Sequence, residues 1–159
     1  VAQISALFLI NYVFNWLFAA KIGKIIGKVG EANVLKFEYI GLVIIFIAYG
    51  WVENANIAAA LYVIDHLFFA LAIAIKTYFQ KIALPEDIAS SAGVSFSINH
   101  IAAVVIPALL GMLWIINSSW VFYIGAGFAL CSLGLSLLIP KNPAIGVELR
   151  SQENQLNPQ

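Results

Sequence analysis

The chain has 159 residues, of which 62% are hydrophobic and only 10% charged, with a mean hydropathy of +0.94. Soluble domains are roughly 25% charged, and surface-to-volume scaling leaves a chain this apolar with too much greasy surface for one small core; a water-soluble globule is excluded and lipid is the expected solvent. Eight basic residues balance eight acidic ones, which removes nucleic acid from the expected partners, and the single cysteine, Cys131, excludes an internal disulfide.

A membrane-crossing helix needs about 20 mostly apolar residues. Residues 1–20 carry no charge and lack the basic flank and cleavage site of a signal peptide. A second span covers about 34–52, with Lys36 and Glu38 at its start, where long side chains are expected to snorkel to the interface. A third, about 55–75, holds Asp65 and His66. Residues 88–140 contain no Lys, Arg, Asp or Glu, too long for one crossing; Asn117, Ser118 and Ser119 divide them into spans at about 91–116 and 120–139. Unbroken apolar runs fit helices, whereas barrel strands alternate over about ten residues. The expected fold is all-α, a polytopic bundle of five transmembrane helices over residues 1–140, followed by a cytoplasmic tail at 141–159 whose Pro, Asn and Gln content predicts loose order.

Basic residues set the orientation. Lys21, Lys24, Lys28 and Lys36 surround the first connection, Lys76 and Lys81 follow the third span, and Lys141 and Arg150 lie in the tail. All eight fall on one side of a five-span layout. The positive-inside rule makes that side cytoplasmic, which puts the N-terminus outside and gives a multi-pass protein of the cell membrane. Trp16, Trp51, Trp114 and Trp120 are placed toward span ends, as an aromatic belt requires. A start at Val1 and an odd number of spans beginning outside are expected of a piece of a longer polypeptide.

Polar residues are unevenly shared among the spans. The first has Asn11 and Asn15, four apart on one face; the third has Asp65 and His66; the fourth has Ser91, Ser95 and Asn99 at spacing four, with His100 beside them. Three helices thus have a polar stripe to turn inward, and the second and fifth are free to face lipid. A carboxylate at mid-membrane is costly unless paired, protonated or facing water, so Asp65 is expected to face the bundle interior. Adjacent helical residues point about 100° apart, so Asp65 and His66 are not expected to share a partner. Each residue also has a purely structural reading: Asn11 and Asn15 as interhelical glue, Asp65 and the histidines as hydrogen-bond partners between helices. No metal-ligand spacing joins Asp65, His66 and His100. Pro107, deep in the fourth span, removes a backbone donor and is expected to kink or loosen the helix, a candidate gating joint. Gly125 and Ala129 make a small-xxx-small pair suited to close helix packing.

The first connection, KIGKIIGKVGEANVL, resembles the short cytoplasmic signature of major facilitator superfamily transporters, with Gly23, Lys28 and Gly30 matching its pattern. Gly27 stands where that signature has Asp, and Glu31 and Ala32 stand where it has two basic residues, an erosion often seen in its C-terminal copy. The resemblance, over residues 1–140, implies spans eight to twelve of a twelve-span transporter, part of its C-terminal domain. Spans eight, ten and eleven of that family line the central cavity, and they correspond here to the three spans with polar stripes. It further implies secondary active transport of a small solute by alternating access. Asp65 would take up and release a proton, aided by His66 or His100, with Asn11, Asn15 and Asn99 along the pathway. The partners implied are the bilayer, the solute, protons and the missing N-terminal half, without any cofactor.

The alternative is a multi-span scaffold or assembly subunit that transports nothing. Enzymatic activity is not expected: there is no second intramembrane carboxylate, no Ser-His arrangement and no metal spacing. Residues 23–30 lack the Gly-Lys-Ser/Thr ending of a phosphate loop, so ATP has no site.

Overall fold

The computed structural model describes the backbone of residues 2–156 and the side chains of 5–153. Val1 and residues 157–159, at the ends of the expected first span and tail, lie outside the described residues. The chain is all-helical: α1 (Ala2–Val29), α2 (Glu31–Trp51), α3 (Ala55–Phe69), a 3₁₀ turn (Ala70–Ala72), α4 (Ile73–Ile82), α5 (Pro85–Ile116), α6 (Ser118–Ser136) and α7 (Arg150–Leu156). Five of its helical stretches are long and apolar enough to cross a membrane, with α3, the 3₁₀ turn and α4 forming one.

Local chemistry sets the breaks. Gly30 is the one non-helical residue between α1 and α2, at φ 85°, a left-handed conformation that disfavours any Cβ. The connection expected around residues 21–33 is therefore helix, and Gly23 and Lys28 of the signature lie within α1. This also moves Trp16 from a span end to the middle of a 28-residue helix. Asn54 caps α3 by accepting from the Asn56 and Ile57 amides at 2.9 and 3.4 Å, and Asn117 caps α6 by accepting from the Ser119 amide at 2.9 Å. Pro85 opens α5, with Glu86 and Asp87 in its first turn, where the helix dipole favours acids. Helix α5 continues through Pro107 as helix; the interruption falls instead at Ala70–Ala72, in a segment without Pro or Gly.

Helices α2 and α6 form the main antiparallel pair. Gly50 lies against Tyr123, whose hydroxyl donates to the Gly50 carbonyl at 3.4 Å, while Gly125 lies against Phe46. Tyr49 and Phe122 stack with ring centroids 4.9 Å apart. Ala126 and Ala129 are buried beside Gly125, so the small-residue face of α6 is a packing face. On another side of α2, Gly41 lies under the Phe68 ring of α3. A small core of Ile26, Val34, Leu35 and Ala74, flanked by Ile22, Tyr39, Leu71 and Ile139, joins α1, α2 and α4 at the end carrying the basic residues. Within this chain α2, expected to lie outside, is the packing centre, with 33% of its apolar window buried against 0% for α5.

The tail also differs from expectation. Glu153 accepts from the Lys141 amide at 2.9 Å, and from the backbone and side-chain nitrogens of Asn142 at 3.0 and 2.8 Å. The Arg150 amide donates to Leu138, the Gly146 amide to Ile82, and the Tyr78 hydroxyl to the Glu148 carbonyl. Polar composition predicted looseness; these side-chain and backbone bonds satisfy the segment instead and fasten it to the ends of α4 and α6. The accessible surface of 11019 Å² is well above the about 7,800 Å² expected of a compact soluble chain of 17.3 kDa.

A Cβ at Gly41 collides with Phe68, whereas at Gly23 it meets open space. Gly41→Val should lower stability by about 1–3 kcal/mol through overpacking, and Gly23→Ala should raise it by about 0.5–1 kcal/mol through helix propensity. Thermal unfolding in detergent micelles reads both; equal shifts would contradict this packing.

Candidate functional site

The residues expected to carry function fall into two groups. Asp65 and His66 sit on α3 with side chains 22% and 34% exposed. Their closest approach, His66 Nδ1 to Asp65 Oδ2, is 3.9 Å, an electrostatic contact too long for a hydrogen bond. His66 Nδ1 is instead 3.1 Å from the Tyr62 carbonyl. A carbonyl can only accept, so Nδ1 carries the hydrogen and the Nε2 lone pair is left available. The imidazole lies over the Tyr62 ring at 4.3 Å, and both Asp65 and Tyr62 are within electrostatic reach of the Tyr49 hydroxyl on α2. Asp65 is thus in electrostatic reach of α2, while His66 bonds back along its own helix.

Helix α1 reaches this region through Phe8, whose ring meets Tyr62 edge-on at 6.0 Å. Asn11, one turn further along, is only 5% exposed and its amide nitrogen has no partner among the described residues. Asn15 is half-buried on the same face.

The second group stays apart. Asn99 and His100 are exposed on α5, as is Ser95, and no hydrogen bond or ion pair among the described residues links them to α1 or α3. Helix α5 packs chiefly on α6 and has no buried residue. His100 repeats the arrangement of His66: Nδ1 donates to the Phe96 carbonyl at 3.0 Å, and the imidazole lies on the Phe96 ring at 3.9 Å. Pro107 is exposed on the same helix. The described residues contain no group of three or more His, Cys, Asp or Glu side chains placed to hold a metal ion.

Two buried acids were not anticipated. Glu38, expected to snorkel, is 2% exposed, with Oε2 lacking a partner. Glu31, at the start of α2, is buried and pairs with Lys81 Nζ of α4 at 2.6 Å. The signal was present in the spacing: Glu31, Val34, Leu35, Glu38, Gly41, Leu42 and Ile45 form one continuous stripe, so both acids sit inside an apolar helix face.

No protein-family model, characterised protein or solved structure matches the chain.

Lys81→Ala leaves the Glu31 carboxylate buried and unpaired. The lysine is half-exposed, which screens the pair, so the expected loss is about 1–3 kcal/mol. Adding Glu31→Gln should recover part of it; a double variant no more stable than the single one would assign the loss to something other than the pair.

In the tail, hydrogen bonding from the Lys141 amide, with smaller help from Asn142 and Arg150, holds the Glu153 carboxyl below the ordinary carboxylate range. A depressed folded value stabilises the tail above the unfolded value, and that contribution is lost as pH falls through the folded one. Amide exchange at Lys141 and Asn142 should therefore speed up on acidification below the ordinary carboxylate range, beyond the intrinsic change. In Glu153→Gln this dependence should vanish; the same dependence in that variant would remove Glu153 from the account.

Proposed function

We propose that the chain forms part of a secondary active transporter of the cell membrane. Its five long helices cross the bilayer, its basic end faces the cytoplasm, and it moves a small solute by alternating access with proton coupling at Asp65. The observation that carries this reading is α5: thirty-two residues long, without one buried residue, yet bearing Ser91, Ser95, Asn99 and His100. Polar groups on a helix of membrane-spanning length are disfavoured against lipid and belong on a water-filled cavity or a further helix. The large excess of accessible surface supports the same setting, as do Trp51, Trp114 and Trp120, exposed at the end opposite the lysines.

The resemblance to the major facilitator superfamily puts the corresponding spans outside the cavity helices, and here α2 and α6 pair with each other and carry none of the polar stripes. Asp65 and Asn11 then belong to the cavity wall contributed by this chain, and His100 and Asn99 to the part completed by the N-terminal half of the transporter. The Nε2 of His66 has a free lone pair while Nδ1 stays bonded to Tyr62, so taking up a proton there requires no movement of the ring.

Alternating access can be tested without knowing the solute. In the full-length protein with Cys131→Ser, Ser95→Cys should react with an impermeant maleimide from either side of sealed vesicles. An imposed proton gradient should shift the balance between the sides, and Asp65→Asn should abolish that shift. Reaction from one side only would defeat the transport reading and leave a scaffold.

A further inference from the structure

Glu38 is 2% exposed, although it sits seven residues, about 10 Å, inside α2 from Glu31. Its position along the helix is fixed by its neighbours. Gly41 lies under Phe68, and Leu35 lines a groove with Ile75, so Glu38 stands level with the 3₁₀ turn at Ala70–Ala72. On the stripe it lies between Val34, which packs in the core with Ile26 and Ala74, and Gly41.

The groups packed around this level offer no countercharge. Helix α1 contributes Ile22 and Ile26, the 3₁₀ turn and α4 contribute Leu71 and Ala74, and α6 contributes Ser136, whose hydroxyl is already given to the Leu133 carbonyl at 2.7 Å. Lys21, Lys24, Lys28 and Lys76 are exposed, off the packed faces. Lys36 is partly exposed on α2 itself and pairs with no acid among the described residues, and Lys81 is taken by Glu31. Tyr39, next in sequence, is the titratable group that registers Glu38 electrostatically. An ionised carboxylate enclosed in this way has neither water nor a cation to compensate it, whereas a carboxylic acid is neutral.

We infer that Glu38 is a proton-binding site distinct from Asp65, occupied while α1 and the 3₁₀ turn are packed on α2. The proton sits on the carboxyl and keeps it neutral within the closed junction. The site rests on burial in the junction and not on the transport reading; a scaffold with this packing would carry the same proton.

Infrared difference spectroscopy on the full-length protein in lipid vesicles at neutral pH tests this. The protonated-carboxyl C=O band should be present, be lost in Glu38→Gln, and persist in Asp65→Asn. Because glutamine reproduces the shape of the neutral acid, E38Q should also fold with unchanged thermal stability. A band unaffected by Glu38→Gln, or a Glu38→Gln protein that does not fold, would overturn the assignment. Loss of gradient-driven changes in Asp65→Asn alone would bear on the transport reading and leave Glu38 untouched.

Discussion

The absence of side chains at two places on α2 lets the other helices settle on it. Gly41 admits the face of Phe68 from α3, and Gly50 admits Tyr123 from α6. In a lipid setting there is no hydrophobic gain from burying one apolar helix against another, so close van der Waals approach and interhelical hydrogen bonds must supply the cohesion. The Tyr123 bond to the Gly50 carbonyl and the Tyr49–Phe122 stack are interactions of that kind. From this seating follows the enclosure of the Leu35 and Val34 core, and with it the burial of Glu31 and Glu38.

Cohesion is spread unequally, and the inequality is informative. Helices α2 and α6 are satisfied by each other, α3 is partly satisfied by α1 and α2, and α5 packs chiefly on α6 without burying a residue. A helix can be left so bare only if its surroundings supply what the chain does not. Its apolar positions, such as Val104, Met112 and Ile115, are suited to lipid, and its Ser95, Asn99 and His100 positions are suited to water or to polar partners. The two histidines share a device across otherwise separate helices: each is anchored to the carbonyl four residues earlier and braced on the ring at that position. Their orientation is thus fixed locally, before any contact between α3 and α5 exists.

Much of this was legible in the sequence. Long apolar runs marked all five long helices, Asn117–Ser119 marked the break between the last two, and the Gly125–Ala129 pair marked a packing face. The first connection was misjudged because its lysines read as a loop, whereas lysine is a good helix former and only Gly30 interrupts the hydrogen-bonding pattern. The 3₁₀ turn left no trace, since Ala70, Leu71 and Ala72 are ordinary helix residues; in the fold they lie against α1 and α2. Glu38 was read by residue type, as a long side chain near a span end; its register with Val34, Gly41 and Ile45 was the better guide. The clasp made by Glu153 is a long-range bond that composition cannot encode.

A single non-helical residue joins α1 to α2, and this has a mechanical consequence. Hydrogen bonds run up to Gly30 and resume from it, with the Gly30 amide on Ile26 and the Val34 amide on Gly30, so the elbow has little slack. Helix α1, with 28 residues, is a lever about 42 Å long pivoting on that elbow. A swing of about 10° there displaces its far end by about 7 Å, more than one helical turn, while moving Ile22 and Ile26 near the fulcrum by roughly 1–2 Å. Any swing at this elbow would therefore couple a small adjustment beside Glu38 to a larger one beside Asn11.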